Sequence, residues 1–155
     1  MKKLSIILIT MLLFSACAQQ GPLSPRQTLS ALKKAYEQKD GTLFLSLITH
    51  RSRQTLETNT EIFNELSTET KAEIYSNAKV GFDAATPLRV EDYVTLYFAC
   101  NHEIEKDLVA KALESKITAV DESENSVIYT MANGLELRFE RVDPYWKFDY
   151  AAIYE

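Results

Sequence analysis

The 155-residue chain is 46% hydrophobic, 10% aromatic and 25% charged, which is ordinary globular usage and excludes collagen-like, disordered and disulfide-framework classes. An apolar run near the start reads as a removable segment; taking residues 1–16 from 155 leaves 139, enough for one domain with a sizeable core. Loss of Lys2 and Lys3 turns 17 basic against 22 acidic residues into 15 against 22, so the net charge moves from −5 to −7 and nucleic acid is not an expected partner.

Lys2 and Lys3 form a cationic head, and Leu4 to Phe14 follow as an apolar run broken only by Ser5 and Thr10. That run is signal-sized and too short to span a bilayer as a free helix. Phe14-Ser15-Ala16-Cys17 resembles the lipobox of bacterial lipoproteins, with small residues before the cut; the departure is Phe14, where that family usually has an aliphatic residue. The resemblance implies that residues 1–16 are removed, that Cys17 becomes the lipidated N-terminus, and that residues 17–23 tether the domain to a lipid bilayer. Two or more acyl chains, each stabilising insertion by about 0.8 kcal/mol per buried CH₂, make release very slow. Ala18 rather than Asp after the cysteine implies the outer membrane in a two-membrane cell. The alternative is an ordinary secretory signal in which Cys17 is incidental.

With Cys17 lipidated, Cys100 has no intrachain partner for a disulfide. It falls on the apolar side of an expected helix, three residues after Tyr97 and seven after Tyr93, as an inert buried thiol.

The domain, expected over 24–155, begins where Ser24 precedes Pro25 and Gln27, a pattern that caps a helix start. Leu29, Leu32 and Tyr36 continue at helical spacing, and Gly41 is expected to end the helix in the left-handed conformation. From Thr42 to Val80 the apolar clusters predict two to four short helices, with polar breaks at Thr49 to Ser52 and around Ser67. Gly81 to Ala85 reads as a loop, after which Thr86-Pro87 repeats the device of Ser24-Pro25. Val90, Tyr93, Val94, Tyr97 and Phe98 then make the best helical stripe in the chain. Asn101 caps a further helix carrying Ile104, Leu108, Ala112 and Leu113, or the two are one bent helix.

After Lys116 the period changes from about 3.6 to 2. Lys116 to Val120, Ser126 to Met131, Leu135 to Val142 and Trp146 to Ala151 read as four antiparallel strands. Asn133-Gly134 predicts a two-residue hairpin turn that sets Ala132 opposite Leu135 and Ile128 opposite Phe139. A four-residue loop from Val142 to Tyr145 sets Phe139 opposite Phe148, Glu140 opposite Lys147 and Arg138 opposite Asp149. Ile128, Leu137, Phe139, Trp146, Phe148 and Tyr150 would face the helices, and Asp149 the solvent. The fold class is therefore α+β, N-terminal helices packed on a C-terminal four-stranded meander.

Site chemistry is sparse. His50 and His102 lack metal-ligand spacing to a second histidine or cysteine, and no phosphate loop, nucleophile elbow or dinucleotide fingerprint occurs, so no cofactor or metal is expected. Glu91-Asp92 and Glu103, Glu105 and Asp107 are spaced like solvated helix faces. From Arg26 to Arg53 six basic residues stand against Glu37 and Asp40, a solvated face or one resting on anionic headgroups, each cation then contributing about 1 kcal/mol.

The Ser-Pro-capped first helix ending at Lys39-Asp40-Gly41, the Leu43 to Ile48 and Ser52 to Leu56 stretches, and the closing Trp146-Lys147-Phe148 resemble exported members of the nuclear transport factor 2-like superfamily. That resemblance implies a cone-shaped α+β domain around a pocket; the departure is the long helical stretch through Leu113. The expected role is a non-enzymatic binding module whose pocket, with Tyr93, Tyr97 and Trp146 as candidate lining, accepts a small apolar ligand or an envelope protein's segment. The alternatives are a small isomerase or hydratase with His102 or Asp149 as acid/base, and a purely structural envelope lipoprotein.

Overall fold

A computed structural model describes residues 21–100 and 108–154. The signal segment, Cys17, the first part of the tether, Asn101, His102, Ile104 and the carboxylates at 103, 105 and 107 lie outside the described residues. Six helices precede one antiparallel sheet: α1 (Pro25–Gln38), α2 (Gly41–Leu47), α3 (His50–Asn64), α4 (Thr68–Ala78), α5 (Val90–Cys100) and α6 (Leu108–Glu114), then β1 (Ile117–Glu122), β2 (Ser126–Met131), β3 (Glu136–Val142) and β4 (Tyr145–Phe148), with a final 3₁₀ turn Ala151–Tyr154. Strand order in the sheet is β1-β2-β3-β4.

Helix starts follow the polar signals. Ser24 Oγ accepts from the Gln27 N–H at 3.3 Å while the Gln27 side chain accepts from the Leu23 N–H at 2.8 Å, closing the first turn of α1 from both sides. Asp40, Thr49 and Ser67 cap α2, α3 and α4 in the same way.

Gly41 does not end α1. Lys39 takes the left-handed conformation (φ 53°), Asp40 caps α2, and Gly41 is the first residue of α2. The glycine is needed for close approach instead, since a Cβ there would lie 2.3 Å from the Glu91 carbonyl oxygen on α5. Thr86-Pro87 does not cap α5 either. The Thr86 hydroxyl donates to Asp83 at 2.8 Å within a turn that also engages the Ala85 N–H, and α5 begins at Val90. On α6, Ala112 and Leu113 are buried as expected, but Leu108 is exposed and Val109 is buried instead.

The hairpin joining β2 and β3 departs from expectation by one residue. Met131 pairs with Leu135 around a three-residue loop in which Gly134, at φ 85°, follows a turn closed by its own N–H on Met131 C=O. Val127 therefore faces Phe139 and Ile128 faces Arg138, so Val127, Tyr129 and Met131 enter the core in place of Ile128. A one-residue slip exchanges the two faces. In the last hairpin Phe139 opposes Phe148 and Glu140 opposes Lys147 as expected, but Val142 pairs with Tyr145, leaving a two-residue turn with a cis Asp143–Pro144 bond.

The main core lies between α1, α2, α5, α6 and the sheet's inner face, with Leu32, Phe44, Leu137, Phe139 and Phe148 almost fully buried. Edge-on aromatic contacts knit it: Phe44 meets Phe98 at 5.5 Å and Tyr150 at 5.7 Å between ring centres. A smaller cluster of Tyr75, Leu88 and Leu96 joins α4 and α5 to the loop between them. Asn64 holds that loop through both halves of its amide, donating to Leu88 C=O at 3.0 Å and accepting from Leu88 N–H at 2.8 Å. Tyr75 Oη is buried here with no hydrogen-bond partner among the described residues. Removing a polar atom that is desolvated and unpaired costs nothing, so Tyr75→Phe should leave stability unchanged or raise it by up to about 1 kcal/mol; a urea midpoint shifted downward would contradict the burial.

Candidate functional site

The start of α3 is pinned to the end of β4. Ile48 bridges Phe148, and the Thr49 N–H donates to Phe148 C=O at 3.0 Å. This places Thr49 to Ser52 over what strand alternation alone would leave as the solvent face, and Asp149 is buried there at 1% exposure instead of exposed. Its Oδ1 accepts from Ser52 Oγ at 3.0 Å and Thr49 Oγ1 at 3.4 Å, and its Oδ2 from Arg51 Nη2 at 2.5 Å. Ser52 Oγ in turn accepts from the Ala151 N–H at 3.1 Å. Arg51, not Arg138, is the carboxylate's ionic partner; Arg138 offers only its carbonyl to the Asp149 N–H. A negative charge at the first turn of α3 also complements the helix dipole.

Beyond this buckle lies a cleft of about 530 Å³ between α3, α5 and the C-terminal turn. Its walls are Tyr93 and Tyr97 from α5, Tyr150 and Tyr154 from the chain end, and Arg51, Thr55, Leu56 and Asn59 from α3. That volume is typical of small-ligand sites. Tyr150 is 5% exposed and its hydroxyl meets that of Tyr154 at 2.9 Å. Burial pushes its ionisation far above the ordinary tyrosine value, aided by Tyr97 and Tyr154 beside it; Tyr93 is raised by burial too. A phenol raised in the folded state contributes stability that is intact below the unfolded value near 10 and lost as pH rises above it. Alkaline titration should therefore show phenolate absorbance from Tyr150 appearing only with unfolding, and an early, fully reversible titration of all tyrosines would contradict the buried assignment.

Tyr93 and Tyr97 thus share one cleft, and Trp146 is not among its walls. The indole is partly buried against the main core, while the Trp146 N–H donates to Pro22 C=O at 2.9 Å and its C=O accepts from Thr28 Oγ1 at 2.9 Å. Cys100 is exposed at the end of α5, not buried, and burial of part of its surroundings raises its thiol pKa. His50 is exposed at the start of α3. Tyr150 and Tyr154 were beyond sequence reasoning as site residues because the chain leaves the strand after Phe148; only the aromatic spacing of four, fitting a helical turn, signals them.

The basic segment does not form one surface. Arg51 turns to Asp149, Arg53 to Glu57 at 2.9 Å and Glu91 at 3.4 Å, and Arg26 and Lys33 line a separate groove beside β1. A third groove, of about 820 Å³, runs along Pro22, Lys34, Ser46 and Lys147, and the Lys147 ammonium donates to Ser46 C=O. Among the described residues no helix is long and apolar enough to cross a membrane, and no group of three His, Cys, Asp or Glu residues is placed to hold a metal ion. No known protein family, curated protein or solved structure matches the chain.

Proposed function

We propose that this chain is an exported lipoprotein, anchored through Cys17, whose folded domain is a non-enzymatic binding module for a small apolar ligand. The observation that carries the binding role is the tyrosine-walled cleft: four tyrosines line it, and phenols combine apolar ring surface with a polar hydroxyl, a lining suited to a flat or ring-containing molecule. The cell envelope, at the outer membrane where two membranes exist, is the location implied by the lipobox resemblance and Ala18. Intact-mass measurement of membrane-extracted protein tests the anchor; a mature chain starting elsewhere than Cys17 refutes it.

The isomerase or hydratase reading needs a proton acceptor open to the cleft. Asp149 is buried beneath it with both oxygens engaged by Ser52, Thr49 and Arg51, which favours a strut over a base. Kinship with the nuclear transport factor 2-like superfamily belongs to the same proposal. It is supported by the capped first helix and the closing meander, and it is strained by the order of elements among the described residues, where six helices precede four strands.

The binding role is tested with N-phenylnaphthylamine, a neutral apolar dye whose emission rises on leaving water. Saturable, one-to-one enhancement that is lost in Tyr97→Ser, with the circular dichroism spectrum unchanged, is expected. Equal enhancement by wild type and Tyr97→Ser overturns the cleft as the site.

A further inference from the structure

The two edges of the sheet are treated differently. On β4 the outward groups are taken up by the rest of the fold: Trp146 N–H by Pro22, Trp146 C=O by Thr28 and Phe148 C=O by Thr49. On β1, among the described residues, no element lies beyond the strand. Its ladder with β2 is regular from Ala119 to Glu122, and the Ser123 N–H donates to Ser126 C=O. Antiparallel alternation from that bond turns the N–H and C=O of Val120 and Glu122 outward, unpaired with protein. Natural proteins guard such edges, and the guard here is partial: an irregularity between Ile117 and Ala119 disturbs only the N-terminal end.

The edge is also electrically two-ended. Lys116 stands at its start, with Arg26 and Lys33 lining the adjoining groove of about 680 Å³, and Asp121, Glu122 and Glu124 stand at its end. Val120 shares the inner face with its buried partner Tyr129 yet remains 50% exposed, because the helices stop short of β1.

We infer that β1 pairs with β1 of a second copy of this chain, antiparallel about a twofold axis at Val120, to make a continuous eight-stranded sheet. About that axis the two Val120 residues exchange both backbone hydrogen bonds and their side chains cover each other. The acidic end of each β1 then runs alongside the basic start of the other, where Lys116 lines the groove. Glu122, on the inner face through its pairing with Val127, comes beside the other copy's basic groove. The self-complementary order of charges favours a second copy over an acidic peptide, which would leave the acidic end of the edge opposed to like charge.

The test uses the full chain in detergent, with Cys100→Ser to remove the exposed thiol. Sedimentation equilibrium should show a dimer. Val120→Pro deletes an outward N–H without touching the β2 ladder, and should weaken the dimer at least about tenfold while the circular dichroism spectrum is kept. Should that variant fail to fold, Lys116→Glu should weaken the dimer and Lys116→Glu combined with Glu122→Lys should restore it. Val120→Cys should cross-link spontaneously, since hydrogen-bonded pairs have Cα atoms about 5.5 Å apart, within disulfide reach; Glu136→Cys should not. A chain that stays monomeric at all concentrations, a folded Val120→Pro dimer as tight as wild type, or equal cross-linking at positions 120 and 136 overturns the inference. A monomer whose β1 amides shift on adding polyglutamate would give the edge to an acidic peptide instead.

Discussion

Asp149→Ala should destabilise the domain by about 3–5 kcal/mol, because it leaves Arg51 without its carboxylate and strands the hydroxyls of Ser52 and Thr49 in a buried site. The loss exceeds the worth of a surface ion pair by several-fold, since the carboxylate is almost wholly desolvated while Arg51 remains about half exposed. Asp149→Asn separates charge from shape. It keeps the volume and one acceptor but forfeits the ionic partner, and should fall between wild type and alanine. Chemical denaturation of the three proteins checks the order; an alanine variant within about 1 kcal/mol of wild type would show that the buckle between α3 and β4 contributes little.

Phe139→Ala should cost about 3–5 kcal/mol as well, for a different reason. The ring is fully buried between Tyr129, at 5.3 Å, and Phe148, at 5.6 Å, in the middle of the sheet's inner face. Its removal opens a cavity that flanking strands, held on both sides by ladder hydrogen bonds, cannot close. The two losses should be nearly additive in the double variant if the buckle and the sheet core are independent. A double-variant deficit well below the sum would mean that both act through β4.

The contrast between these two residues shows what was legible in the chain. Phe139 and Phe148 announced themselves by alternation, and their pairing followed from matching apolar and charged faces. The same rule sends Asp149 to solvent, because alternation gives the side of a strand and not what covers it. Only the approach of Thr49 to Phe148, a contact between residues 99 apart in the chain, decides that. The Asn-Gly signal located a turn correctly but not its length: a three-residue loop with glycine at positive φ and a two-residue loop share the dipeptide, and the difference exchanges the faces of β2. The starts of α1, α3 and α4 are legible because capping is local, whereas Thr86-Pro87 mimics a cap but belongs to a turn, and Gly41 mimics a stop when its lack of a side chain serves contact with α5. Of the candidate site, Tyr93 and Tyr97 were visible as a helical stripe. Alternation puts Trp146 on the helix-facing side of the sheet, and the fold sends it to the flank of the core, away from the cleft.

The proposed binding role stands or falls on where an apolar molecule settles. Backbone amide shifts mapped by NMR during titration with N-phenylnaphthylamine locate it residue by residue. Saturable shifts are expected, centred on Tyr93, Tyr97, Thr55 and Ala151 around the cleft, with β1 and the groove of Arg26 and Lys33 unmoved. Shifts centred on the grooves beside β1 or Lys147, or none that saturate, would contradict the binding role.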